Sequence, residues 1–185
     1  MARAVPKRRN EFAKARECAR DALARMGIRD FALLTGAQRE PLWPAGVIGS
    51  ITHCPTLCAV AVASAQSYQG VGIDVEPALP IEREVAEVVA NSRDSASLSG
   101  VDQLLAARMV FSAKESFYKA QFRLTRRFLD FADVAVELRP DGKFYAELLA
   151  EAAPLHRGEL FGGGWQLQDD LLLTALFIPR KPEVT

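Results

Sequence analysis

Val71-Gly72-Ile73-Asp74-Val75-Glu76 alternates branched apolar residues with a glycine and two acids, which is the period of a β-strand. Side chains two apart on a strand share a face, so Asp74 and Glu76 point the same way. Neighbouring carboxylates repel unless a cation or a proton lies between them. With oxygen the only donor type on offer, the cation that suits such a pair is Mg²⁺. That ion takes one or two protein carboxylates and fills its remaining positions with water and phosphate oxygens. A solvated strand end with two exposed acids accounts for the same six residues, so the rest of the chain decides.

The chain has 185 residues, 49% hydrophobic and 25% charged, an ordinary globular balance with enough length for one substantial core or two small ones. Its formal net charge of +0 argues against a nucleic-acid binder working by bulk charge. No apolar run approaches the roughly 18 residues of a membrane span, and the basic N-terminus lacks the apolar run of a secretory signal. The 3 cysteines are an odd number and give no disulfide framework. Cys54 and Cys58 are four apart, and besides the three cysteines the chain has only His53 and His156 as soft ligands, so small buried thiols are a better reading than zinc. A reducing cytoplasm is the implied compartment.

The spacing of Phe12, Ala15, Ala19, Leu23 and Met26 predicts an amphipathic helix over 8–26, stopped by Gly27. Its other faces carry Arg8, Arg9, Lys14, Arg16, Arg20 and Arg25: a charge-laced outer face, or guanidinium forks for a phosphorylated ligand. Residues 35–49 read as a loop punctuated by glycine and proline, with Trp43 between two prolines after Arg39-Glu40. In Gly49-Ser50-Ile51-Thr52-His53-Cys54, amides and hydroxyls of a turn could cradle a phosphate, with His53 a donor to it or a core histidine. A strand follows at 58–63, a short helix at 81–90 and a polar connection at 91–100. A second strong helix, 102–122, contains FSAKESFYKA (111–120), where Glu115 and Lys119 are i and i+4 and share a face; a surface ion pair is the plain reading. Asp141-Gly142 predicts a hairpin between strands at 134–138 and 144–149. Asp169-Asp170 predicts another between 165–168 and 171–177, and 179–185 reads as a frayed end.

Taken in order, GSITHC, GIDVE and FSAKESFYK resemble the phosphopantetheinyl transferases of the Sfp/EntD-like type, and REPLWPAGVIGSITHC and RRNEFAKAR resemble that family's actinobacterial-style branch. The resemblance spans nearly the whole chain. It implies an α+β fold of two similar α/β halves related by a pseudo-twofold. Residues 1–80 would form the coenzyme A-binding half, and 81–185 the half with the third metal ligand and a carrier-docking helix. The implied reaction moves phosphopantetheine from coenzyme A to a serine of an apo acyl or peptidyl carrier protein, releasing adenosine 3′,5′-bisphosphate. Fatty-acid, polyketide and nonribosomal-peptide carriers share that chemistry. The resemblance assigns Mg²⁺, with Mn²⁺ as a substitute, to Asp74, Glu76 and Glu115. It assigns catalysis to Asp74, Glu115 and Lys119, with Glu115 or a metal-bound water taking the serine proton. Coenzyme A falls to Arg8, Arg16, Arg39, Ser50, Thr52, His53, Lys114 and Lys119.

Phe122, Arg123, Leu124, Arg126 and Arg127 form a basic, partly apolar stretch suited to an acidic carrier. No nucleic acid and no membrane are expected as partners, and the implied state is a monomer. Ala15 stands where the branch usually has glycine, and Thr35 and Gln38 where it often has basic residues, which implies weaker coenzyme A binding or a greater part for Arg39. Relatives commonly carry a few dozen residues before the arginine helix, which would leave part of the first half uncovered here. A degenerate coenzyme A- or carrier-binding module and a magnesium-dependent nucleotide pyrophosphate hydrolase are the competing readings.

Overall fold

The computed structural model describes residues 6–180, with side chains from Glu11 onward. Helix α1 (Pro6–Arg25) buries Ala15, Ala19 and Leu23, one per turn, against the strand β4 (Cys58–Ser64). It stops at Gly27, whose φ of +81° suits a residue without Cβ, while the Ile28 amide turns back to the Leu23 carbonyl. The segment read as a loop over 35–49 contains a small hairpin, β1 (Leu34–Thr35) with β2 (Pro41–Leu42).

The Gly49–Cys54 motif is corrected by the structure. It is not a turn but most of a strand, β3 (Val47–His53), paired antiparallel with β4. Its hydroxyls face β5 (Tyr68–Pro77): the Ile73 amide donates to Ser50 Oγ and the Val75 amide to Thr52 Oγ1, each at 3.1 Å. The partners advance together along both strands, so β3 runs parallel to β5 and side-chain hydroxyls replace the ladder between them. On its other edge β5 pairs antiparallel with β10 (Leu171–Pro179). Strand β5, which begins as the last strand of the N-terminal portion, thereby joins the sheet of the C-terminal portion.

That sheet has six strands, in the order β5, β10, β9 (Leu160–Gln168), β8 (Lys143–Leu148), β7 (Val134–Leu138) and β6 (Ser95–Ala96). The Asp141-Gly142 and Asp169-Asp170 turns lie between β7 and β8 and between β9 and β10, as the turn chemistry predicts. Strand β9 starts five residues before Trp165. Its Gly162-Gly163-Gly164 run hides a strand that side-chain alternation cannot reveal, and a Cβ at Gly163 would sit 2.2 Å from the Phe144 ring. Helix α2 (Arg83–Val89) is short, and residues 181–185 lie outside the described residues.

Helix α3 (Gln103–Thr125) lies across this sheet, capped by the Asp102 carboxylate, which accepts from the Leu104 and Leu105 amides. Met109, Ala113, Phe117 and Ala120 of α3 meet Val136, Leu138, Phe144, Leu148, Leu172 and Leu176 in one core. Phe117 is fully buried and packs on Phe161, so its truncation to alanine costs about 3–5 kcal/mol. Against β5 the helix comes closer than any side chain would allow. A Cβ at Gly72 would lie 1.7 Å from the Ser116 carbonyl, and one at Gly70 2.5 Å from that of Ala120. The glycines of β5 thus set α3 against the strand that carries Asp74 and Glu76.

Candidate active site

Strand β5 and helix α3 run in opposite directions. Arg108 therefore meets Glu76, Ser112 meets Asp74, and Lys119 reaches back to the same aspartate. Residues 108, 112, 115 and 119 recur at three- and four-residue spacing, one face of the helix.

Asp74 is 5% exposed and accepts from three side chains, which leaves one acceptor direction on Oδ2. Oδ1 accepts from Lys119 Nζ at 2.7 Å and Thr52 Oγ1 at 3.0 Å, and Oδ2 accepts from Ser112 Oγ at 2.9 Å. Behind it, the Thr174 hydroxyl lies 2.9 Å from Ser112 Oγ and 2.7 Å from Ser116 Oγ, a buried hydroxyl chain that fixes the carboxylate. Lys119 also donates to the Ile73 carbonyl at 3.0 Å, which leaves the third donor of its ammonium open. Glu76 Oε2 accepts from Arg108 at 2.7 Å, yet burial, and then Asp74, push its pKa up. Burial also raises Glu115, Lys119 pulls it back, and Asp74 and Glu76 add to the rise. Among the described residues no hydrogen bond reaches the Glu115 carboxylate, which makes it the open member of the three.

Among the described residues no three His, Cys, Asp or Glu side chains converge as a formed metal cluster. The donor chemistry nevertheless fits a hard divalent ion: three oxygen-only carboxylates feel one another across the site, and Lys119 and Arg108 leave one of their charges unbalanced.

Two cavities flank Glu115 and Lys119. One, of about 310 Å³, is walled by Trp43, Gly49 and Glu40 from the N-terminal portion and by Lys119, Arg123 and Arg126 from α3. Arg126 is paired with Glu40 at 2.9 Å. Burial lowers the Arg123 pKa, and Arg180 and Arg126 lower it further, so positive charge accumulates at this wall. The other, of about 210 Å³, lies beside Glu115 between Tyr118, Phe128 and Phe131. Phe128 stays 66% exposed while stacking on Tyr118 and meeting Phe122 at a tilt.

The remaining expected ligand residues fall into distinct places. His53 is exposed at the end of β3, with Nε2 3.6 Å from Glu11. Arg16 lies over the Phe12 ring and donates to Thr35 at 2.7 Å, so Thr35 holds this guanidinium where a basic residue would repel it; Arg16 Nε is buried with no hydrogen-bond partner among the described residues. Arg39 is exposed at φ 67°. The Arg8 side chain lies outside the described residues. Ser50 and Thr52 are 3% and 4% exposed, and their hydroxyls are spent on β5, so they build the site from behind and offer no cradle. Lys114 likewise points away. Its ammonium is buried on Asp94 and on the carbonyls of Val89 and Phe131, all within 2.9 Å, which removes it from the face where a phosphate could reach it. Of the basic stretch, Phe122 is buried, Leu124 packs on the core, Arg123 and Arg126 line the first cavity, and Arg127 donates to the Glu151 carbonyl.

Arg108, Asp94 and Thr174 escaped the sequence reading. Helical spacing alone could have put Arg108 on the face of Ser112 and Glu115; Asp94 lies in a polar connection and Thr174 in an apolar strand, and neither carries a local signal.

Residues 1–63 match the family model of the 4′-phosphopantetheinyl transferase N-terminal domain, and residues 70–169 match that of the 4′-phosphopantetheinyl transferase superfamily. The chain is 40% identical to the 4′-phosphopantetheinyl transferase Svp of Streptomyces mobaraensis, across 96% of this chain and 75% of the relative. It is 35% identical to PptT of Mycobacterium tuberculosis, across 96% and 82%, and 31% identical to enterobactin synthase component D of Escherichia coli K12, across 91% and 76%.

Proposed function

Because the chain belongs to the 4′-phosphopantetheinyl transferase superfamily, it transfers 4′-phosphopantetheine from coenzyme A to a carrier protein, and we propose that it does so between β5 and α3, at Asp74, Glu76, Glu115 and Lys119. The observation that carries this reading is the close packing of Gly70 and Gly72 on α3. It brings Lys119 to 2.7 Å from Asp74 beside a cavity edged by Arg123 and Arg126.

The carrier serine Oγ forms a bond to the phosphorus that bears the pantetheine arm. The bond from that phosphorus to the bridging oxygen breaks, and its electron pair leaves with adenosine 3′,5′-bisphosphate. Glu115 takes the serine proton, directly or through a water: among the described residues it is the one of the three carboxylates that no hydrogen bond reaches. Lys119 holds the pyrophosphate, and Arg123 and Arg126 extend the positive wall for the rest of the coenzyme. The neutral pantetheine arm suits the aromatic cavity of Tyr118, Phe128 and Phe131. Asp74, Glu76 and Glu115 would hold Mg²⁺, or Mn²⁺ in its place, which would supply neutralisation of the charge that develops on the pyrophosphate. Arg8, Arg16, Arg39 and His53 bind the nucleotide end in this reading. The N-terminal residues to about 80 supply coenzyme A binding; the remainder supplies the base and the carrier's seat, at the α3 end where Arg126 and Arg127 are exposed. A cytoplasmic monomer serving fatty-acid, polyketide or nonribosomal-peptide carriers completes the proposal. No described helix is long and apolar enough to cross a membrane.

Incubation with coenzyme A, Mg²⁺ and a panel of apo carriers, read by intact mass, tests this. A gain of one phosphopantetheine on the carrier serine is expected. Adenosine 3′,5′-bisphosphate released without a carrier would point to a hydrolase, and coenzyme A binding without modification of any carrier to a binding module.

A further inference from the structure

Arg108 has no part in the transfer chemistry above, yet each of its three guanidinium nitrogens donates a hydrogen bond next to it. NH1 lies 2.7 Å from Glu76 Oε2, Nε donates to the Leu79 carbonyl, and NH2 lies 3.2 Å from the Pro80 carbonyl. Both carbonyls belong to the chain just beyond β5, and the Arg108 and Glu76 side chains are only 18% and 23% exposed. A guanidinium braced on main-chain carbonyls cannot follow the carboxylate; it dictates where the carboxylate lies. It takes one oxygen of Glu76 and leaves the other.

We propose that Arg108 is a positioning residue: it holds Glu76 by Oε2 so that Oε1 is presented to a divalent cation shared with Asp74 and Glu115. The proposal rests on the metal assignment made above. Groups that hydrogen-bond a ligating carboxylate orient it, and their loss typically weakens metal affinity about 10–100-fold. A guanidinium acting only as a counter-ion would do the reverse, because removing its charge would make the site more attractive to a cation.

The test is a titration with Mn²⁺ alone, without coenzyme A or carrier, following free Mn²⁺ by electron paramagnetic resonance. Arg108→Gln should weaken Mn²⁺ binding about 10–100-fold. Arg108→Lys should fall between it and the parent, since one ammonium cannot span the carboxylate and both carbonyls. In a Glu76→Gln background Arg108→Gln should add no further loss. Unchanged or tighter binding in Arg108→Gln overturns the proposal, as does an equal loss in the Glu76→Gln background. Should Arg108→Gln fail to fold, parent-like affinity in Arg108→Lys overturns it alone. A parent that binds no Mn²⁺ removes the metal assignment together with this inference, whereas a parent that binds it and an indifferent Arg108 remove only the inference.

Discussion

Helix α3 carries two ammonium–carboxylate pairs on different faces. Lys114 lies 2.8 Å from Asp94, and Lys119 lies 2.7 Å from Asp74. The first pair is closed. Lys114 uses its donors on Asp94, Val89 and Phe131, while Asp94 also accepts from the amides of Asn91 and Val136. It ties α2, the 91–94 connection and the segment before β7 to one helix. In the second pair the carboxylate likewise accepts three hydrogen bonds, but the ammonium keeps 25% exposure and borders a cavity. Nearly equal distances therefore serve different ends, and what separates them is whether the cation still has an open side. A closed pair is an anchor; an open one can exchange its partner for a ligand.

The strongest way to break this comparison is at Asp74. Asp74→Asn keeps the shape and an acceptor for Thr52 and Lys119, so the melting temperature should stay within a few degrees of the parent. Turnover should fall at least about 10³-fold, because a neutral amide neither balances Lys119 nor ligates a hard cation well. Retained turnover by intact-mass assay would remove Asp74 from the chemistry.

The second contrast sets the two pairs against each other. Asp94→Ala strands a buried ammonium and should cost about 3–5 kcal/mol in denaturant unfolding, with little change in the Michaelis constant for coenzyme A in protein that remains folded. Lys119→Met should show the reverse weighting: a smaller stability loss than Asp94→Ala, because Thr52 and Ser112 still donate to Asp74, and a rise of about tenfold or more in that constant. If both variants lose stability alike and bind coenzyme A alike, the distinction between anchor and site is wrong.

How far the sequence reached follows from which forces act locally. The β5 alternation, the helical spacing of 102–122 and the Asp141-Gly142 turn are neighbour effects, and each stands in the structure close to where it was expected. Gly49–Cys54 misled because hydroxyls beside glycine suit a turn. Only the arrival of β5, whose amides need acceptors, shows that Ser50 and Thr52 serve a strand. Lys114 misled for the same kind of reason: Asp94 is twenty residues away, and nothing local announces it. The Asp74–Lys119 contact was legible only through the ordered motifs, since 45 residues separate the partners.

The smallest effects belong to the two arginines that end α3, where the open pair's surroundings meet solvent. Arg126 caps the helix at φ 55°, pairs with Glu40 and lines the cavity beside Lys119. Arg127, one residue on, donates instead to the Glu151 carbonyl and is absent from that wall. Carrier proteins are expected to present acidic surface beside their serine, and exposed charges at a docking rim act mainly on association rate and its salt dependence. Arg127→Glu should therefore lower kcat/KM for the carrier a few-fold, flatten its ionic-strength dependence and leave coenzyme A alone. Arg126→Glu should do this and also raise the Michaelis constant for coenzyme A, since its reversal sets a second acid beside Glu40 on the wall proposed to face the coenzyme's phosphates. Steady-state kinetics at two salt concentrations separate the outcomes. Carrier kinetics indifferent to both reversals would place the docking surface elsewhere, and a coenzyme A effect from Arg127 equal to that from Arg126 would mean that the cavity wall is not what distinguishes them.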